Sequence, residues 1–370
     1  MSVRFSVSGA QIRQLKAVLH CLGKVGPDLL VEALPQKLIL RDINTSQSAY
    51  ASVTLHNAFF DAYDVFDSSV VQTGVLIKHM LALFRTQRIF KLGVHLDTES
   101  SKLVATLLSE SGLEKQYQVP CMEARILQAN LERDAFPTCV IAAASELNRL
   151  LGSFQNNLEE ITIIATPDDD VANGPPSRAV QLHSFVDPLK SKSQHTLHTQ
   201  LAVDTHEVFL SYQHSADAAC DVTFNLRDFK AMLTLCEALN ADVAIRFGQP
   251  GSPLVVEPHL PAHVAQEAAL AAELVLATLL ETARPGDAGP ATVARNAAGR
   301  LDTPGGGHIP GDTPWARQVA GVRQQEAGTA AARPSRFAQQ AAPGIGAAGA
   351  PFLSGIFAQG RPADGKVMWG

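Results

Sequence analysis

Two hydrophobic periods alternate along the first three quarters of the chain. Ile12, Leu15, Val18, Leu19 and Leu22 recur at the i, i+3, i+4 spacing of one helix face, which predicts an amphipathic helix over residues 9–21. Arg13, Lys16 and His20 fall off that face. Residues 29–32 and 37–41 read as strands around an Ala-Leu-Pro-Gln turn, and residues 49–55 alternate as a strand does. A second helix is predicted over residues 74–85, with Leu76, Met80, Leu83 and Phe84 inward and Lys78, His79 and Arg85 outward. Residues 90–96 and 102–108 form a strand pair joined by the polar turn Asp97-Thr98-Glu99-Ser100.

The second half repeats this order. Residues 138–142 read as a strand and 144–154 as a helix, with Leu147, Leu150, Leu151 and Phe154 inward. Residues 160–165 and 178–185 are strands, and 222–225 lead into a fourth helix, 226–238, with Phe229, Leu233, Cys236 and Leu239 inward. Residues 242–247, 254–257 and 274–280 close the pattern. A repeat of about 130 residues is domain-sized and not that of a solenoid. The chain therefore divides into a first domain, 1–118, a connecting linker, 119–137, a second domain, 138–282, and a tail, 283–370. The linker is longer than the usual connection of about 4–6 residues, which suits an extended crossing between domains.

Composition changes the picture most at the tail. Beyond Thr282 the chain is rich in Ala, Gly, Pro, Gln and Arg with few aromatics. Such a segment buries too little apolar surface to offset its ordering entropy and is expected to be disordered. It carries nine Lys and Arg against five Asp and Glu, so of the net −6 for all 370 residues about −10 falls on the rest. A chain that is 46% hydrophobic and 18% charged can build a sizeable core. Its overall acidity is not that of a simple nucleic-acid binder, and a DNA-binding role would need its positive charge gathered on one face.

The five cysteines are scattered, odd in number and form no C-x-x-C pair, which argues against a disulfide framework and a cysteine zinc site. The N-terminus has no long apolar run of the kind a signal peptide needs. The longest apolar stretch, 268–280, is too short to span a bilayer and is broken by Glu273. The expectation is an intracellular, soluble protein. The Walker-type phosphate loop, the G-x-S-x-G elbow and the H-E-x-x-H motif do not occur. Asp168, Asp169 and Asp170 lie in a Pro- and Gly-containing loop that reads as a solvated turn, and His195 and His198, close together, with His206 and His214 following, would need a fourth fixed ligand and a second shell to hold a metal. No catalytic residue, cofactor or metal is expected.

Four segments resemble a known family. Residues 31–50, VEALPQKLILRDINTSQSAY, resemble the first-domain strands of the Rad nine subunit of the nine-one-one DNA-damage checkpoint clamp. Residues 76–85, LIKHMLALFR, resemble its second helix. Residues 223–230, TFNLRDFK, with 253–257, PLVVE, resemble the last helix and strand of sliding clamps. The resemblance spans about residues 1–282. Two departures stand out: an Ala-rich insertion at 258–272, and a tail without the serine-rich acidic clusters of the family.

The resemblance implies an α+β fold of two tandem sliding-clamp domains of the PCNA type, with helices lining a DNA hole and sheets outside. It implies a non-enzymatic ring subunit in the nucleus, with two other clamp subunits of the Rad one and Hus one types as partners. A clamp loader, threaded double-stranded DNA and tethered checkpoint and repair proteins complete the partners, and no membrane is involved. Arg13, Lys16, Lys24, Lys78, Arg85, Arg88, Arg149, Arg227 and Lys230 lie on or beside the four predicted helices and are the candidate DNA-facing residues. Ile43, Ser46, Gln47, Ser48, Ile126, Leu127, Leu131 and Pro253 would line a partner-peptide pocket under the linker. Thr303 and Thr313, each within Asp-Thr-Pro, are candidate phosphosites. The alternatives are a homotrimeric replicative clamp and a metal-dependent nuclease using Asp168 to Asp170.

Limited proteolysis of the full chain checks the tail boundary. The expected product is a stable core ending near Thr282, identified by intact mass; cleavage first within residues 138–282 would refute the division.

Overall fold

The computed structural model describes residues 2–66, 70–97, 99–123, 129, 131–167, 178–186, 197–261 and 268–280. All of them belong to one compact unit. The tail, with Thr303 and Thr313, lies outside the described residues.

The first half runs β1 (Ser2–Ser8), α1 (Gly9–Val25), β2 (Asp28–Leu34), β3 (Lys37–Ile43), β4 (Ala49–His56), β5 (Ala62–Val65), β6 (Val71–Leu76), α2 (Ile77–Leu83), β7 (Ile89–Asp97), β8 (Lys102–Ser109) and β9 (Glu114–Pro120). The second half runs β10 (Thr138–Ala143), α3 (Ala144–Leu151), β11 (Glu160–Ala165), β12 (Val180–Phe185), β13 (Gln200–Val203), α4 (Thr205–Val208), β14 (Phe209–His214), β15 (Cys220–Asn225), α5 (Leu226–Leu239), β16 (Asp242–Phe247), β17 (Leu254–His259) and β18 (Leu270–Leu276).

Three antiparallel sheets result. Five strands, β5-β1-β7-β8-β9, belong to the first half, and four, β13-β12-β11-β15, to the second. The nine-stranded sheet β14-β10-β16-β17-β18-β4-β3-β2-β6 belongs to both. Its seam is the pairing of β18 with β4, in register from Leu270 opposite Leu55 to Leu276 opposite Ala49. Above the seam α1 packs against α5, with α2 beside α1 and α3 beside α5. Most helix residues spaced for burial are buried, Ile12, Leu15, Val18, Leu19 and Leu22 on α1 and Phe229, Leu233 and Cys236 on α5, whereas Leu150 and Leu239 are only partly so. Asn225 caps α5 by accepting from the amides of Arg227 and Asp228, and Asn240 ends it in the left-handed conformation.

Several expected boundaries move, each for a tertiary reason. The helix expected over 74–85 shrinks to α2, because residues 71–76 pair with β2 as a strand. The last strand lies earlier than 274–280, because its pairing with β4 begins at Leu270. With β17 extending to His259, the expected insertion at 258–272 reduces to the connection 260–269, of which 262–267 lie outside the described residues. Strands β5, β6, β9, β13 and β14 have no clear alternation and were not expected; they are built by ladder pairing.

Two buried charged groups meet different fates. Arg41 of β3 and Glu32 of β2 form an ion pair at 2.6 Å, and Gln72 of β6 donates to the other Glu32 oxygen at 2.7 Å. Removing one member would strand the other, at a cost of about 3–5 kcal/mol. Asp42, the next residue, is fully buried, and neither carboxylate oxygen has a hydrogen-bond partner. Burial pushes its carboxyl from the ordinary 3.8 up to about 8, against the weaker pull of the Ile43 amide and with nearby Asp28 adding to the rise. Gly26 is fitted against it: any β-carbon there would collide with the Asp42 carboxyl and approach the Ile43 carbonyl oxygen to 2.6 Å.

Asp42 therefore keeps its proton in the folded chain over a pH range where the unfolded chain has lost it. Its penalty is absent below about pH 4 and grows as pH rises towards 8. Asp42→Asn is expected to stabilise the chain at pH 8 relative to pH 5, by an amount on the order of a few kcal/mol. Urea unfolding at the two pH values measures this, and an equal effect at both would refute it.

Candidate nucleic-acid interface and the linker-covered face

The four long-enough helices form one layer, and their composition divides it. Helices α1 and α2 contain no Asp or Glu, whereas Arg13, Lys16 and Lys24 on α1 and Lys78 on α2 are all exposed. Each also lacks an ion pair with any described carboxylate. His20 lies among them, and burial, then Lys16 and Lys24, hold its pKa below the usual value. The second-half helices are balanced. Arg149 of α3 is tied to Glu146 at 2.8 Å. Arg227 is exposed in the first turn of α5 and Lys230 is half-buried, opposed by Asp228 and Glu237 on the same helix. Arg85 and Arg88 are exposed, but in the connection between α2 and β7 and not on a helix. Among the nine expected residues, cations without a carboxylate on the same helix are thus concentrated on the first half.

Arg88 is one of four non-glycine residues with positive φ among the described residues, at 52°. Next to it, Ile89 faces Ser109 while Lys91 faces Leu108, so Phe90 is the additional residue of a β-bulge. Plain alternation would carry Phe90 to the buried side with Leu92, Val94 and Leu96. The bulge turns it outward instead, to 57% exposure.

The opposite face of the nine-stranded sheet carries the linker. Met122 exchanges two backbone hydrogen bonds with Gly74 of β6 at 2.8 and 2.9 Å. At the other end Arg133 binds Glu257 of β17 at 2.9 Å and Glu273 of β18 at 3.3 Å, while Glu257 also pairs with Arg246 of β16. Burial raises the Glu273 pKa, and Arg133 opposes that rise. Between these anchors a small apolar cluster forms on Tyr50 and Val275, with Ile43, Ala129, Leu131 and Ala277 packed on it.

Two of the expected pocket residues, Ile43 and Leu131, are therefore brought together. Ser48 adjoins them, its carbonyl accepting from Ala277. Ser46 and Gln47 occupy the exposed turn before it, where Asn44 accepts from the amides of Ser48 and Ala49. Pro253 precedes β17 at the same end, where the Thr278 hydroxyl donates to the Ser252 carbonyl. Ile126 and Leu127 lie outside the described residues, as do Asp168 to Asp170 and His195. His214 is bonded to Thr138 and the Ala218 carbonyl. Among the described residues no group of three or more His, Cys, Asp and Glu side chains is placed to hold a metal, and no helix is long and apolar enough to cross a membrane.

Sequence reasoning missed Arg133 and Phe90. Nothing local marks Arg133, because its two carboxylates are more than a hundred residues away. The signal for Phe90 was available only as a conflict between alternation and the Thr86-Gln87-Arg88 turn before it.

Comparison with known proteins places these features. A family model described as Rad9 matches residues 15–279. The cell cycle checkpoint control protein Rad9 of Drosophila melanogaster is 23% identical over 256 residues, covering 69% of this chain and 53% of that protein. The DNA repair protein rad9 of Schizosaccharomyces pombe is 23% identical over 299 residues, covering 69% and 66%. The chain spans about half to two thirds of the length of these curated relatives. Among solved structures, PCNA from Thermococcus kodakaraensis superposes with a TM-score of 0.55 at 16% identity, over 75% of this chain and 99% of that one. Proliferating cellular nuclear antigen from Entamoeba histolytica superposes with a TM-score of 0.54 at 12% identity, over 75% and 98%. The fold is thus that of PCNA-like clamps, and because the family model takes in well over half of the sequence, the chain belongs to the Rad9 family.

Proposed function

We propose that the chain is one subunit of a ring-shaped DNA-damage checkpoint clamp that encircles double-stranded DNA and tethers checkpoint and repair proteins. The observation that carries this reading is the helix layer. An acidic protein presents, on α1 and α2, a surface with four exposed cations and no carboxylate. Such a surface suits the phosphate backbone, whose contacts are electrostatic and independent of base sequence. Family membership and the names of the curated relatives support the checkpoint role over a homotrimeric replicative clamp.

Each flanking sheet has two end strands, β5 and β9 in the first half and β13 and β15 in the second, of which the reading takes β9 and β13 as edges open to a partner. An open edge can accept a strand from another chain. The reading assigns these edges to two different clamp subunits, of the Rad one and Hus one types, with a loader to open the ring, and places the assembly in the nucleus. The linker-covered cluster around Ile43 and Leu131 is assigned to partner peptides. The domain division at residues 118, 137 and 282, and phosphorylation of Thr303 and Thr313 in the tail, belong to the same reading.

Mass measurement of the full chain tests assembly: a monomer that forms a one-to-one-to-one complex only with two different clamp subunits is expected, and a self-trimer would refute it. In the assembled ring, changing Arg13, Lys78, Arg85 and Lys230 together to Ala is expected to weaken binding to duplex. The log–log salt slope should become shallower by up to about 4, with little change in melting temperature. An unchanged slope would remove these residues from the DNA path. Ile43→Glu is expected to weaken partner-peptide binding about tenfold or more while the ring still forms, as titration of a labelled peptide would read. Loss of folding in this variant would mark Ile43 as core instead.

A further inference from the structure

One cleft of about 550 Å³ opens between the first turns of α1 and the segment from Phe84 to Phe90. Its volume is within the range of about 300–1,000 Å³ typical of small-molecule sites. Arg13, Lys16 and Arg88 bring three cations to its walls, against one carboxylate, Glu110. Phe90 supplies an exposed aromatic wall, and Ile12 and Phe84 an apolar floor.

Two local features hold this arrangement, and the Arg88 carbonyl also accepts from the Glu110 amide at 3.0 Å. Arg88 takes up a left-handed conformation that side-chain-bearing residues adopt at a cost. The bulge at Phe90 turns a large ring out of the sheet interior, giving up burial that the alternation of β7 would otherwise provide. Bulges of this kind re-aim side chains towards ligands.

A duplex needs only the cations, because its bases are stacked inside. An acidic peptide likewise needs only charge. A cationic wall beside an exposed aromatic ring is the combination that binds single-stranded nucleic acid, with phosphate on the cations and the base face on the ring.

We propose that this cleft holds one unstacked nucleotide of single-stranded DNA, with its phosphate on Arg13, Lys16 and Arg88 and its base against Phe90. The proposal rests on the helix layer facing DNA, and adds a site that distinguishes a single strand, or a junction bearing one, from continuous duplex. Lys16 and Arg13 then serve both substrates, whereas Phe90 serves only the unpaired base.

The test uses the full chain at low salt with three fluorescein-labelled probes: a fifteen-residue oligothymidylate, the same backbone with abasic sites, and a blunt duplex of equal length. Phe90→Ala is expected to weaken oligothymidylate binding about tenfold, and to leave the abasic strand and the duplex unchanged. Phe90→Tyr restores the loss, and Arg88→Ala weakens both single strands. Because Phe90 is exposed, its loss leaves the melting temperature unaltered, and this is measured alongside. The proposal is overturned by unchanged oligothymidylate binding in Phe90→Ala, or by equal weakening of the abasic strand. It is also overturned if a glutamate-rich peptide of matching charge displaces oligothymidylate as well as unlabelled oligothymidylate does, which would make the cleft an acidic-peptide site. Failure here with a ring that assembles leaves the clamp reading standing. A base-dependent result without ring assembly sinks the clamp reading and keeps the cleft.

Discussion

The pairing of β4 with β18 is the constraint on which the rest of the molecule depends. It joins strands more than 200 residues apart in sequence and makes one nine-stranded sheet from two repeated halves. Once the seam is fixed, α1 and α5 have to share the surface above it, and their apolar faces meet there. The buried thiols Cys21 and Cys236 belong to this contact, both pushed up to about 12 chiefly by burial, so they act as small apolar groups and not as nucleophiles. A helix layer flattened in this way leaves one polar side per helix, all turned in the same direction.

The same seam governs the opposite face. Glu273 on β18 and Glu257 on β17 project from neighbouring strands of the second half, and Arg133 of the linker reaches both. The strand β4, from the first half, contributes Tyr50 to the cluster on which Leu131 packs. The linker is consequently held by groups from both halves, and its course reports on the integrity of the seam. Partly exposed pairs of this kind contribute modestly to stability; their value is in fixing the register of an otherwise extended segment. A pocket beneath that segment would be shaped by the same three side chains.

Much of this could be read in the sequence where periodicity alone sets the outcome. Most inward residues of α1 and α5, the β2–β3 and β7–β8 pairs and the duplicated order follow from local spacing. What could not be read was whatever depends on a distant partner. Residues 71–76 look like the start of a helix until β2 is available to pair with them. The true start of β18 at Leu270 is invisible without β4. The same holds for charge: Arg13, Lys16, Lys24 and Lys78 were identifiable from the polar side of a helix. The engagement of Arg149 with Glu146 is an i, i+3 pairing that spacing permits but does not enforce. Arg85 kept its exposure and lost its helix, and Arg88 lies, as expected, beside one.

The distribution of charge between the two halves then acquires a physical meaning. Net negative charge of about −10 on the part before the tail would repel a polyanion at long range, and such repulsion is screened beyond a Debye length of about 8 Å in physiological salt. Only the local field of the helix layer matters once DNA is within that distance. On the second-half helices that field is offset by Glu146, Asp228 and Glu237; α1 and α2 carry no carboxylate of their own, and Glu110 is the one carboxylate in the cleft that Arg13 and Lys16 line. A surface that attracts only at contact range holds duplex loosely when the chain is alone. It becomes effective when something other than affinity keeps DNA nearby, and closure of a ring would supply that condition in the proposed clamp. In the proposed clamp, an isolated subunit of weak affinity and an assembled ring of long residence are therefore two expected consequences of one charge pattern.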